Sequence, residues 1–365
     1  MLLDLPPMTA DRFAAIEDGV AALLRTRNDV IVTQGEALLP LEAAIKGAVH
    51  PGSTALNVVT GPYGQTFGGW LRAAGAKVVD LEVPYDAAVG AEQVAAALEE
   101  HPGIDFVSLV HAEAATGNTN PVAEIAEAVR RHGALLMLDA VASVAAEPLL
   151  TDAWGVDLCV IGGQKAMGGP AGVSAVAVSG RAWERIAANP AAPRRSYLSL
   201  LDWKERWTDA GRTQLPHAPA QLEMLALEEC LAAITAETLD AVIARHRAAA
   251  AATRAGVLAL GTLAPYVRRA EDAAPVATTL RTPLGTNAAE LAAEVRRRAP
   301  QLPVQSGGAL AASMLRLNHY GPAANPETVI AALELLAQAT GAPASAAVAA
   351  ATEAWEQEVR RDVSS

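Results

Sequence analysis

The segment ALLMLDAVASVAA (residues 134–146), followed by DLCVIGGQKAMGGPAGVS (157–174), decides the fold. In each, a short apolar run breaks off at a polar residue and gives way to small residues or glycines. Runs of this kind read as strands buried on both faces of a sheet. The same rhythm continues outward in VIVT (30–33), ALNVVT (55–60), KVVDLEV (77–83), FVSLVHAE (106–113) and VSAVAVS (173–179), with helical patterns between them. The alternation predicts an α/β fold with a mostly parallel, seven-stranded sheet covered by helices on both faces. Ligands of such sheets bind at the carboxyl ends of the strands.

Beyond residue 181 the pattern turns helix-rich, with a long helix expected over 238–258. VATTLRT (276–282), PVQS (303–306) and MLRLNH (314–319) read as strands and 288–299 and 326–339 as helices, giving a smaller α+β unit. The expected division is a large α/β domain over 1–235, a small C-terminal α+β domain over 236–345 and a helical tail over 346–365.

Composition narrows the function. The chain has 365 residues, 52% of them hydrophobic and many of these alanine, and a net charge of -12 from 28 basic and 40 acidic residues. The acidic balance argues against a nucleic acid or anionic membrane as partner. No apolar stretch reaches the roughly eighteen residues of a membrane span, and no secretory signal opens the sequence. Cys159 and Cys230 have no spacing suited to a disulfide framework or metal site, which fits a reducing cytoplasm; no metal is expected.

Asp139 closes one strand and Lys165 follows the next. A lone strand-end aspartate is usually a turn former, and a lone lysine usually a solvated charge. Lys165, however, lies between Gly162-Gly163 and Gly168-Gly169 with no charged neighbour in sequence, a setting suited to an amine nucleophile. Paired strand-end aspartate and lysine suit a pyridoxal group: the lysine forms a Schiff base and the aspartate keeps the pyridine nitrogen protonated. Tyr63 in TGPYGQTFGGW opens a helix, from which it can stack on a ring or simply pack. Arg316 in SMLRLNHYGP, on an apolar strand, suits a carboxylate of a substrate or of a structural ion pair. Trp203, Trp207 and His319 read as packing residues.

VIVTQGEALLPLEAAI (30–45) reads as a strand, a turn at Gln34-Gly35 and a helix with Leu38, Leu39, Leu41 and Ile45 on one face. A glycine turn before a helix N-terminus commonly holds a phosphate, because free N–H groups and the helix dipole favour an anion. Here that place carries a carboxylate, Glu36. The bland reading of Glu36 is a first-turn glutamate pointing into solvent.

LMLDAVAS, GGQKAMGGPAGVS and LRLNHYGP resemble the class V aminotransferases of the fold-type I pyridoxal-phosphate superfamily. QGEALLPLEAA, GPYGQTFGGW, LEVPYDAAV, NPAAPRRSYLSLLDWKERW and HYGPAANP are similar to the pyridoxamine–pyruvate transaminase branch of that family. The resemblance implies catalytic Lys165 and Asp139, a ring and 5'-end lined by Gly35, Glu36, Tyr63, Val141 and Gln164, and a substrate set of Arg316, Glu36 and Thr116. It further implies a homodimer, or dimer of dimers, with active sites near the interface. In the alanine–glyoxylate branch, the position of Glu36 is a histidine beside the phosphate, that of Gly163 a serine, and that of Ala218 a threonine from the partner subunit. None of these phosphate-binding groups is present here.

Three departures accompany the resemblance. The family's first two dozen or so residues, with a Gly-Pro motif, lie before the start of this sequence, so Met1 is expected to be a truncated or misassigned start. Gly307-Gly308 stand where the branch carries a second arginine. Glu113-Ala114-Ala115-Thr116 replace an Asp-Thr-Pro-Ser segment, which leaves the amino acceptor open. The leading expectation is amino transfer from free pyridoxamine to pyruvate, giving pyridoxal and L-alanine, with no tightly bound cofactor. The alternatives are an alanine–glyoxylate-type enzyme using pyridoxal 5'-phosphate, with Gln164 and Gly35 holding the phosphate, and a pyridoxal-binding protein without turnover.

Overall fold

A computed structural model describes residues 4–363; the expectation about Met1 lies outside them. All seven apolar runs form one sheet. Its strands are β1 (Asp29–Thr33), β2 (Thr54–Val59), β3 (Lys77–Glu82), β4 (Phe106–Val110), β7 (Leu135–Asp139), β8 (Leu158–Gly162) and β9 (Ser174–Val178), in the order β1-β9-β8-β7-β4-β2-β3. Between β4 and β7 the chain makes a two-stranded ribbon of β5 (Ala112–Glu113) and β6 (Asn118–Thr119). Only β9 runs against its neighbours in the main sheet, so the sheet is mostly parallel, as its near-continuous apolar strands require.

The smaller sheet joins β10 (Ala264–Pro265), β11 (Ala277–Arg281), β12 (Val304–Gln305) and β13 (Met314–Asn318) in the antiparallel order β10-β11-β13-β12. It packs with helices Ala288–Arg298 and Pro326–Thr340 around a core of its own. The long helix Leu239–Leu260 runs between the two cores. The chain ends in helix Ser345–Val363, which docks on the long helix through small residues: Ala249, Ala252, Ala347 and Ala351 are all buried. A Cβ on Gly256 would come within 3.0 Å of Ala347 O, so glycine is needed for this approach.

One local expectation needs adjustment. Helix Leu38–Ala48 buries Leu41 and Ile45, but Leu38 is 39% exposed, because residues 38, 41 and 45 span more arc than the core contact covers. Trp203 and Trp207 are packing residues as expected, stacked on and set edge-on to the Phe13 ring; Trp207 Nε1 also donates to Glu17 Oε2 at 2.9 Å.

Candidate active site

The strand ends of the main sheet converge on one cavity, lined by Glu36, Tyr63, Asp139, Val141 and Lys165 among apolar neighbours. Asp139 is the last residue of β7, between Val110 of β4 and Val160 of β8. Lys165 follows the end of β8, and Glu36 follows β1. Tyr63 stands in the first turn of helix Pro62–Ala73, whose start is fixed by Pro62 after Gly61. The parallel topology thus brings together residues that are far apart in sequence, at the edge where such sheets hold ligands.

Asp139 is 5% exposed, and its Oδ1 accepts the Val141 N–H at 3.0 Å. Burial pushes its carboxyl up to about 7, against the pull of the Val141 N–H and of Lys165. A buried carboxylate in this state is stabilised by a cationic N–H donor. A protonated pyridine nitrogen is such a donor, and Tyr63 and Val141 line the same cavity. The residues present therefore fit a vitamin B6 ring. Lys165 is half-buried; although its sequence neighbours are uncharged, Asp139 and Glu113 act on it electrostatically in the folded chain. Its Nζ lies 3.4 Å from the Tyr320 hydroxyl.

At the mouth of the cavity, Glu36 Oε2 accepts the Leu38 N–H at 2.8 Å and Oε1 accepts Gln164 Nε2 at 2.7 Å. Glu36 is exposed, yet its carboxylate does not simply point into solvent. It takes the anion's place at a helix N-terminus and is tied to the residue before Lys165. The Gly35 carbonyl accepts the Ser174 hydroxyl at 2.8 Å, which fixes the turn. A Cβ on Gly163 would lie 2.9 Å from Pro170 O, so the loop closes where a serine would need room. Ala218 offers only its carbonyl, to Gln34 Nε2 at 2.7 Å.

Arg316, on β13, reaches from the smaller sheet to the cavity wall: Nη1 donates to Ala114 O at 3.0 Å and Nη2 to Gln305 Oε1 at 2.9 Å. Among the described residues it has no carboxylate partner, and its buried Nε has no acceptor. Thr116 is not brought to the cavity. It is 1% exposed, its hydroxyl donates to Asn118 at 3.3 Å, and its carbonyl accepts Thr279 Oγ1 at 2.7 Å. The tight turn between β5 and β6 directs it inward, apart from the other residues expected to meet the substrate.

Two residues were missed in the sequence. Glu113, fully buried behind Tyr63, accepts the Gly64 N–H at 3.2 Å; burial raises its carboxyl to about 8. A Cβ on Gly61 would fall 2.6 Å from Glu113 Oε2, so the glycine makes room for the acid. Its signal was the same as that of Asp139, a carboxylate that closes a strand. The other is Tyr320, in the turn after β13. A larger cavity between helix Leu239–Leu260 and residues 146–148 contains neither Lys165 nor Asp139, so size does not locate the chemistry.

Comparison with known proteins identifies relatives of the chain. The family model described as Aminotransferase class-V matches residues 3–339. The chain is 34% identical to pyridoxamine–pyruvate transaminase of Mesorhizobium japonicum, over 94% of this chain and 86% of the relative. It is 29% identical to alanine–glyoxylate aminotransferase of Drosophila melanogaster, over 89% of this chain and 82% of the relative. The crystal structure of pyridoxamine–pyruvate aminotransferase from Mesorhizobium loti superposes with a TM-score of 0.90 at 32% identity, covering 98% of this chain and 92% of that one. No helix among the described residues is long and apolar enough to cross a membrane, and none of them form a metal-binding cluster.

Proposed function

Because this chain belongs to the class V aminotransferases and is a transaminase acting on small molecules, we propose that it transfers the amino group of free pyridoxamine to pyruvate, giving pyridoxal and L-alanine. The family depends on pyridoxal phosphate; in this reading the unphosphorylated vitamin takes the cofactor's place as a reactant and leaves as product.

One observation supports the reading: the Glu36 carboxylate is held by Leu38 N–H and Gln164 at a helix N-terminus, the kind of place that commonly binds a phosphate. A carboxylate about 4 Å from a phosphate charge costs on the order of 4 kcal/mol per charge pair at an effective dielectric near 20. A 5'-hydroxyl instead donates to the carboxylate, in a charge-assisted hydrogen bond contributing about 1.5–3 kcal/mol. The glycine at 163 and the alanine at 218 add no hydroxyl for a phosphate.

When bound, the vitamin's protonated ring supplies the electron sink. Asp139 holds the proton on the ring nitrogen, and Tyr63 covers the ring. The Lys165 amine carries a proton between C4' and the substrate α-carbon. Arg316 exchanges its contacts with Ala114 and Gln305 for the pyruvate carboxylate, with its unpartnered Nε as a further donor. The same reading makes the chain a cytoplasmic homodimer, or dimer of dimers, in vitamin B6 breakdown.

A second reading is favoured by the similarity to alanine–glyoxylate aminotransferase. It is a pyridoxal-phosphate enzyme in which Glu36 turns outward and Gln164 and the Gly35 N–H hold the phosphate. Incubation with pyridoxamine and pyruvate, with pyridoxal and L-alanine quantified, tests the proposal. Equal amounts of both products over many turnovers are expected. Alanine formed only after addition of pyridoxal phosphate and an amino-acid donor would favour the second reading.

A further inference from the structure

The turn that follows β13 carries Tyr320, Gly321 and Pro322 onto the loop that carries Lys165. The approach is backbone on backbone. A Cβ on Gly321 would come within 2.4 Å of Gly168 Cα, and one on Gly168 within 2.9 Å of Pro322 Cδ. Both glycines have positive φ, +49° at Gly321 and +71° at Gly168. Only glycine meets both demands without strain. The contact is held from a third element, since Arg245 Nη1 of the long helix donates to Gly321 O at 2.7 Å and its Nε to Glu237 Oε1 at 2.5 Å.

The outcome of this clamp is the placement of Tyr320. Its hydroxyl lies 3.4 Å from Lys165 Nζ, and the amine lies 5.2 Å from its ring centroid. The hydroxyl is able to donate to a neutral amine or accept from an ammonium, so it serves Lys165 in either state. At 3.4 Å the bond is long, as contacts around a catalytic amine often are before substrate binds.

We infer that Tyr320 is the positioning residue of Lys165: its hydroxyl holds Nζ in place, and the Gly168–Gly321 contact fixes where that hydroxyl lies. This inference rests on the reading of Lys165 as the reacting amine. Its consequence is that β13 and the turn after it contribute Arg316 for the substrate and Tyr320 for the lysine within one short stretch. A shift of the small domain would therefore disturb both ends of the reaction.

The test uses the full-length protein with Tyr320→Phe, which removes only the hydroxyl, and Gly321→Ala, which lifts the turn off the loop. Thermal melts check that both variants fold. Three quantities are read: the rate at which pyridoxal becomes trappable on Lys165 by borohydride, the rate of Lys165 acetylation in vitamin-free protein followed by mass spectrometry, and kcat against KM. For Tyr320→Phe, trapping and kcat should fall about ten- to a hundredfold, with KM for pyruvate within about twofold. The acetylation rate should change by at least about threefold, and Gly321→Ala should show the same kcat loss with its tyrosine intact. Wild-type rates of trapping and acetylation in Tyr320→Phe would overturn the inference and leave Tyr320 a packing residue. If the wild-type protein traps neither pyridoxal nor pyridoxal phosphate on Lys165, the reading of Lys165 itself fails, and the inference with it.

Discussion

The Gln164 side-chain amide donates to Glu36 Oε1 at 2.7 Å, linking the turn after β1 to the loop that carries Lys165. In the proposed reading, the carboxylate that faces the vitamin's 5' end is thereby fixed by the neighbour of the reacting amine. On that reading, selection of the ring's substituent and placement of the amine would share one hydrogen bond.

Glu36→Gln keeps the size of the side chain and removes its charge. Affinity for pyridoxal phosphate should rise by about ten- to a thousandfold, the upper bound being one full charge-pair repulsion. Affinity for pyridoxal should fall, since the hydroxyl then meets a neutral acceptor. Absorbance titration with both ligands measures the two changes; an unaltered ratio would show that Glu36 plays no part in selection.

Asp139→Asn leaves a group of the same shape that cannot stabilise a protonated ring nitrogen. The kcat should fall by about a hundredfold or more, with a smaller effect on KM for pyruvate. Steady-state kinetics at saturating pyridoxamine provides the check.

Glu113 makes the vitamin-free protein sensitive to alkali. Its carboxyl rises from an ordinary value near 4.5 to about 8 on burial, so between those values the folded state binds more protons than the unfolded one. Its contribution is fully present below about pH 4.5 and is lost as pH rises through about 8, on the order of a few kcal/mol. Glu113→Gln retains an acceptor for Gly64 N–H and cannot ionise. Denaturant unfolding at pH 6 and pH 9 should show the wild type losing stability relative to this variant; parallel behaviour would argue against a strained buried acid.

Arg316→Lys keeps the positive charge but not the planar fork. KM for pyruvate should rise about tenfold or more, with kcat less affected, because two-point binding of the carboxylate is lost. Progress curves across pyruvate concentration separate the two parameters.

The sheet was legible because each buried parallel strand is a short apolar run, and the strand-end rule then placed Asp139, Lys165, Glu36 and Tyr63 at one edge. The geometry of side chains between elements was less so. Thr116 matched a family segment, but the β5–β6 turn carries its hydroxyl to Asn118. Glu113 escaped notice because its meaning depends on Gly61 and Tyr63, which precede it by some fifty residues. Tyr320 likewise acquires its role only when two glycines far apart in sequence, Gly168 and Gly321, come into contact. Leu38 follows the helical period yet faces out, since periodicity shows a stripe and not where the core contact ends.

The most direct test of the central claim is a parallel absorbance titration of the dialysed wild-type protein with pyridoxal and with pyridoxal 5'-phosphate, each adduct being fixed by borohydride and located by mass spectrometry. Tight binding of pyridoxal on Lys165, with the phosphate weaker by at least about tenfold, is the predicted result. Tighter binding of the phosphate would contradict the account and make this chain a pyridoxal-phosphate aminotransferase of the alanine–glyoxylate type.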